Sequence, residues 1–281
     1  MSDDVLLLLV ALWVALVGGA VGSFLNVVIA RVPAGESVVS PGSRCPRCRR
    51  PIAWYDNIPV LSWIVLRGRC RRCGTGIALR YPLVELLGAA AALAAWWRHG
   101  LSAAAAAELL LVATLLALAF IDLDTWLLPH ALTWPLIPLG VGAAALGVGP
   151  ATGWRGAALG AAIGFGLFAT LSVVAEKVMK KEALGFGDVW LLAGLGAWLG
   201  VAALLPVILL ASIQGAVVGI ALLALGRAEK GPDGGGAAQP DGWVPPRNAV
   251  PFGPFLVLAA LEWLYGAGAI AAAVPALDVF R

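Results

Sequence analysis

Two sets of residues in this chain have types and spacings that can do chemistry. The first is Cys45-Pro46-Arg47-Cys48, followed after 21 residues by Cys70-Arg71-Arg72-Cys73. Two such CxxC turns let four thiolates close a tetrahedral shell around one zinc ion, and a shell of that kind holds a small module folded. Four sulfur ligands leave no open coordination position, so the expected zinc is structural. The arginines beside the turns favour the thiolate form. The gap slightly exceeds the usual range for the pattern, and disulfides or unligated thiols stay open as alternatives on the residues alone.

The second set is acidic. Asp122 stands in Phe120-Ile121-Asp122-Leu123-Asp124 with Leu128-Pro129 beyond it, and Asp188 follows Gly185-Phe186-Gly187. Both border long apolar runs, where an ionisable side chain is costly and therefore a functional candidate. Two carboxylates close together in a low-dielectric site cannot both ionise easily, so the pair shares a proton. The ionised member can take a proton from a water attacking a peptide carbonyl while the protonated member polarises that carbonyl. The glycines before Asp188 allow a bent backbone and close approach of an extended substrate. The plain alternative is an interfacial Asp122 and an Asp188 that only caps a helix.

The elements that must position these residues are membrane helices. Of 281 residues 61% are hydrophobic and 12% charged, and the mean hydropathy is +0.92, more apolar than a soluble core can use. Apolar runs at 5–30, 82–97, 101–121, 131–149, 156–175, 189–226 and 250–274 are compared with the roughly 20 residues a span requires. The run 189–226 is too long for one helix, and Gly200 and Pro206 offer a break inside it. The expectation is an all-α polytopic membrane protein of about eight transmembrane helices. Its divisions are a first helix over 1–30, a cytoplasmic four-cysteine zinc module over 31–81 and a transmembrane core over 82–281 containing a flexible loop at 227–249.

Orientation follows from basic residues, which short cytoplasmic loops retain. With the N-terminus outside, the inner loops hold the ten arginines from Arg31 to Arg80, then Lys177, Lys180, Lys181, Arg227, Lys230 and Arg247, leaving only Arg98, Arg155 and Arg281 outside. Both termini are expected outside, and the cysteines fall in the reducing cytosol, where stable disulfides are uncommon. The start Ser2-Asp3-Asp4 has no basic region, so the first run reads as a retained span. The net charge of +3 is tied to span ends and is no sign of a nucleic-acid partner.

Other candidates weigh less. Asp124, two residues from Asp122, points elsewhere on a helix. Glu85 opens a span, where a carboxylate complements the helix dipole. Glu108 and Glu262 lie deeper without an assigned role, His99 and His130 are single, and the tryptophans suit an aromatic belt at span ends. A proton-coupled transporter using the same acids is the competing reading. It would place them near the midplane on broken helices, whereas both aspartates here lie at one face. A cysteine-module scaffold without chemistry leaves the embedded acids unexplained.

Further motifs accompany these: Gly22-Ser23-Phe24-Leu25-Asn26-Val27-Val28 with Arg31, Asn57-Ile58-Pro59 with Leu61-Ser62, Arg80-Tyr81-Pro82-Leu83-Val84-Glu85, and Pro251-Phe252-Gly253-Pro254. With the cysteine turns and both aspartate motifs, the chain resembles, almost end to end, the bacterial type IV prepilin peptidases, bifunctional leader peptidases and N-methyltransferases of pilus and type II secretion systems. The resemblance implies that Asp122 and Asp188 match the catalytic aspartates. Asp122 takes the role over Asp124 because it lies seven residues before Pro129. Gly185, Gly187 and Pro129 support the match. It also implies cleavage of prepilins and pseudopilins after a Gly on the cytoplasmic face of the inner membrane. Methylation of the new N-terminal residue, often Phe, from S-adenosylmethionine would follow. The four cysteines match the family's zinc set. No residue pattern locates the methyl-donor site. Departures from the family are small: Glu262 stands at a usually apolar position, and the 227–249 loop is long and Gly-rich.

Overall fold

The computed structural model describes residues 3–179, 185–225 and 250–273. The expectations resting on the 227–249 loop, Ser2, Lys180, Lys181, Arg227, Lys230, Arg247 and Arg281 lie outside the described residues. Among those described, nine α-helices run in order: α1 (Asp3–Arg31), α2 (Leu61–Val65), α3 (Arg80–His99), α4 (Ala103–Thr125), α5 (His130–Ala145), α6 (Gly153–Met179), α7 (Phe186–Leu199), α8 (Val201–Ala224) and α9 (Gly253–Ala273). Five of them, α1, α4, α6, α8 and α9, are long and apolar enough to cross a membrane. The protein is therefore a multi-pass all-α membrane protein. Long apolar residues stay exposed along α1 (Leu6, Leu9, Trp13, Leu16) and α8 (Leu209, Ile213, Val217, Ile220), surface that only lipid solvates well.

The expected count of eight spans is not carried by length alone. The eight long helices match the eight expected segments, but α5 has 16 residues and α7 only 14, the latter about 21 Å at the usual rise per residue. The expected break in 189–226 falls at Gly200, whose φ of 82° separates α7 from α8. In that left-handed region a glycine has no Cβ to clash. Pro206, the other expected breaker, sits inside α8.

The chain divides into two compact units, Met1–Ala117 and Leu118–Arg281. In the first, α1 packs on α3. A Cβ at Gly18 would lie 2.5 Å from the Gly88 carbonyl oxygen, and one at Gly88 would lie 2.5 Å from the Gly18 carbonyl oxygen. The two backbones touch. Lipid offers helices no hydrophobic reason to associate, so close backbone contact between small residues supplies the attraction.

In the second unit α7 is the centre, packed against α5, α6, α8 and α9. Val189, Leu191, Leu192, Ala193, Leu195, Ala197 and Trp198 are all within 1% of full burial, which explains how so short a helix serves there: protein, not lipid, surrounds it. Gly160 of α6 and Gly196 of α7 approach backbone to backbone, and Gly194 and Gly140 make the corresponding room between α7 and α5. Trp198 donates its indole N–H to the Leu136 carbonyl at 2.9 Å. This tryptophan departs from the expected belt because its one polar atom has found a partner inside the bundle.

Candidate active site and metal cage

The cysteine cage is built by two similar turns in the 32–79 segment of the first unit. In one, the Cys45 amide donates to the Arg50 carbonyl at 3.0 Å and the Arg49 amide to the Cys45 carbonyl at 2.9 Å; in the other, the Cys70 amide donates to Thr75 at 2.8 Å and the Gly74 amide to Cys70 at 2.9 Å. Each turn ends just past its second cysteine on a left-handed residue, Arg49 with φ 55° and Gly74 with φ 68°. The antiparallel bridges Arg44–Pro51 and Arg69–Gly76 close them. The four sulfur atoms lie within 4.8 Å of one another, and Cys45 Sγ is 3.7 Å from Cys73 Sγ. Amide hydrogen bonds, from Cys48 first, outweigh desolvation and bring the Cys45 thiol down to about 6, while desolvation and the neighbouring cysteines carry Cys73 up to about 11; a bound cation is what would let all four act as thiolates. The four cysteines are positioned to hold a metal ion.

Other side chains tie the segment to its flanking helices. Asn26 of α1 donates to the Tyr81 carbonyl at 3.1 Å, Arg31 to the Ser37 carbonyl at 2.9 Å, and the Val60 amide donates to Glu85 Oε2 at 2.6 Å. Glu85, expected to serve its own helix end, thus holds a loop 25 residues away in sequence. Arg71 grips Asp56 at 2.6 Å and keeps that carboxyl below the ordinary aspartate range. Beside the cage lies a cavity of about 350 Å³, with Arg50, Trp63, Arg72 and Tyr81 in its wall.

The aspartate site lies wholly in the second unit. Asp122 occupies the last turn of α4, and Asp188 is the third residue of α7. They are 5% and 9% exposed and close enough to act on each other electrostatically. The Gly253 amide at the start of α9 donates to Asp122 Oδ2 at 3.0 Å in a buried bond. Asp188 Oδ1 is buried without a hydrogen-bond partner among the described residues. Leu128 is the wedge between the segments. A Cβ at Gly187 would meet Leu128 Cβ at 2.7 Å, and one at Gly253 would meet Leu128 Cδ1 at 3.4 Å. Pro129 then caps α5 with an extended ψ of 130°. Gly185 is the N-cap of α7, with φ −64°, so it needs no glycine-only backbone conformation; its small size matters instead, since a Cβ there would lie 3.5 Å from Asp188 Oδ2.

The structure brings Asp122 and Asp188 together and leaves Asp124 exposed on another face of α4. Glu108 is buried and paired with Arg98 at 2.6 Å and His99 at 2.8 Å, and Glu262 accepts from Gln214 at 2.6 Å. His130 stacks on Trp134 at 5.0 Å. None of these belongs to the aspartate site. The Gly253 amide was not foreseen as a participant. The Pro251-Phe252-Gly253-Pro254 motif was its only signal, and nothing in it says which side chain the amide meets.

Comparison with known proteins fits this division. Residues 16–99, with all four cysteines, match the family model described as the bacterial peptidase A24 N-terminal domain. Residues 109–220, with both aspartates, match the type IV leader peptidase family. A relative from Myxococcus xanthus, named prepilin leader peptidase/N-methyltransferase, is 44% identical over 91% of this chain and 90% of its own. One of the same name from Aeromonas hydrophila is 38% identical over 86% and 87%. An Escherichia coli protein named type 4 prepilin-like proteins leader peptide-processing enzyme is 38% identical over 89% and 92%. No solved structure matches the chain. With likeness of this extent across both units, the chain belongs to the type IV leader peptidase family.

Proposed function

We propose that this protein removes the leader peptide from type IV prepilins and type II secretion pseudopilins, after a Gly on the cytoplasmic face of the inner membrane, and then N-methylates the new first residue. The observation that carries the hydrolytic reading is the meeting of Asp122 and Asp188, two buried carboxylates from different helices. In such a pair one carboxylate takes a proton from water as its oxygen bonds to the scissile carbonyl carbon, while the carboxyl proton of the other goes to the carbonyl oxygen. The carbon–nitrogen bond then breaks and the departing amine takes up a proton. Membership of the family and the names of the relatives support the same reading.

On this reading α1 and α3 to α9 all cross the bilayer with both termini outside, and residues 31–81 form a cytoplasmic module between the first span and the peptidase core. The arginines around the cage and Arg98 and Arg155 at the opposite ends support it. Four thiolates in this arrangement would hold zinc. A tetrahedron with Zn–S bonds near 2.3 Å has edges of about 3.8 Å, and the Cys45–Cys73 separation of 3.7 Å suits that. S-adenosylmethionine would supply the methyl group to the new terminal nitrogen. Trp63, Tyr81, Arg50 and Arg72 line the cavity; aromatic rings would suit a sulfonium and the guanidinium groups the donor's carboxylate.

The test is co-expression with a prepilin and measurement of leader removal. Asp122→Asn and Asp188→Asn are expected to leave the leader in place and Asp124→Asn to process normally. Full cleavage by either of the first two would sink the mechanism.

A further inference from the structure

We propose that the start of α9 divides the labour between the two aspartates: the Gly253 amide holds Asp122 as the charged base, and Asp188 carries the proton the pair shares. This inference rests on the hydrolytic reading above and assigns roles within it.

The asymmetry is in the hydrogen bonds. Asp122 Oδ2 accepts the Gly253 N–H at 3.0 Å in a buried bond. An amide can only donate, so the oxygen facing it must present a lone pair. Gly253 is also the first residue of α9, a helix of 21 residues, whose unsatisfied amides and dipole place positive potential at that end. A carboxylate at such an end is stabilised as an anion. Asp188 also stands in the first turn of a helix, α7, so the dipole alone does not separate the two acids; the hydrogen bond does. Its Oδ1 is buried without a hydrogen-bond partner among the described residues. A buried carboxyl oxygen with no donor beside it costs least on a neutral group.

Steric detail agrees. A Cβ at residue 253 would stand 2.5 Å from Asp122 Oδ2, whereas a Cβ at Gly185 would stand 3.5 Å from Asp188 Oδ2, an ordinary contact. Only Asp122 is clamped by a glycine. Gly253 is therefore a positioning residue, acting through the Asp122 carboxylate that its amide holds. Asp122 takes the water's proton as the water oxygen bonds to the carbonyl carbon. The Asp188 proton goes to the carbonyl oxygen, and the proton now on Asp122 is available to the departing amine when the carbon–nitrogen bond breaks.

Difference infrared spectra of the purified full chain at neutral pH test the assignment. Subtracting Asp188→Asn from the unsubstituted protein should reveal the C=O stretch of a protonated carboxyl, and subtracting Asp122→Asn should reveal a carboxylate band instead. The reverse assignment, or a protonated band in neither subtraction, overturns the proposal. Kinetics give the second arm. Gly253→Ala should lower kcat about a hundredfold with KM for a prepilin unchanged, while Gly215→Ala, whose Cβ would meet Phe255 at 3.5 Å, keeps wild-type values. An unchanged kcat in Gly253→Ala also overturns it. Should Gly253→Ala fail to fold, the infrared assignment decides alone. Loss of cleavage in both aspartate variants with the infrared roles reversed would defeat this inference and leave the hydrolytic reading standing. Cleavage by either variant would defeat the reading itself.

Discussion

The cage and the aspartate pair are built in opposite ways. The cage uses two short turns, each closed by its own backbone hydrogen bonds, and its cysteines run from buried (Cys45) to exposed (Cys73) in a segment with little core. The aspartate pair uses three helix ends that are distant in sequence, brought together by glycines that let Leu128 wedge among them. A metal can hold a site whose local geometry is right even where little apolar surface is buried. A buried acid pair has no such ligand and depends on the packing of the whole unit. The difference predicts which changes each region tolerates.

The largest expected effect is on catalysis. Asp122→Asn or Asp188→Asn should lower kcat by at least about a thousandfold and leave the metal content untouched, as metal analysis beside a cleavage assay would show. Next comes the cage. Cys45→Ser with Cys70→Ser should abolish metal binding by the cage and make the arginines between Arg44 and Arg72 accessible to trypsin, with the α5–α7 packing kept. Unchanged trypsin resistance would mean that apolar contacts, not the ion, hold the segment. Third, Gly187→Ala, whose Cβ would stand 2.7 Å from Leu128 Cβ, should cost about 1–3 kcal/mol as overpacking. It should also reduce cleavage, and the paired change Leu128→Ala should restore part of both, in a thermal melt and in activity.

The smallest effect concerns pH at the module. Arg71 lowers the Asp56 carboxyl, so this pair's contribution is fully present above the ordinary aspartate value of about 3.9 and is lost as pH falls through the lowered value. Asp56→Asn should remove that acid-side dependence from the module's resistance to trypsin and change little at neutral pH.

How much of this was readable beforehand follows from the same contrast. The cage was legible because ligand type and spacing are local properties, and the turns that realise them need only a few residues. The long apolar runs gave the helices for a similar reason, and the break at Gly200 was visible as excess length. Asp122 and Asp188 were visible as acids in a costly place, but their meeting depends on α7 sitting at the centre of a unit. That in turn depends on glycine contacts between α5, α6 and α7 that no single segment announces. Glu85 reads from sequence as a helix-end charge, and its partner, the Val60 amide, is hidden there because it lies in a loop with no regular pattern. Glu108 and Glu262 were legible as acids within apolar runs, while their partners Arg98, His99 and Gln214 become apparent only from the helix packing.

The most direct test of the central claim is the kcat for leader removal by purified Asp122→Asn, Asp188→Asn and Asp124→Asn proteins whose thermal unfolding matches the unsubstituted chain. The account predicts loss of at least about a thousandfold for the first two and near-normal turnover for the third. Normal turnover with either Asp122 or Asp188 replaced in a folded protein would contradict it.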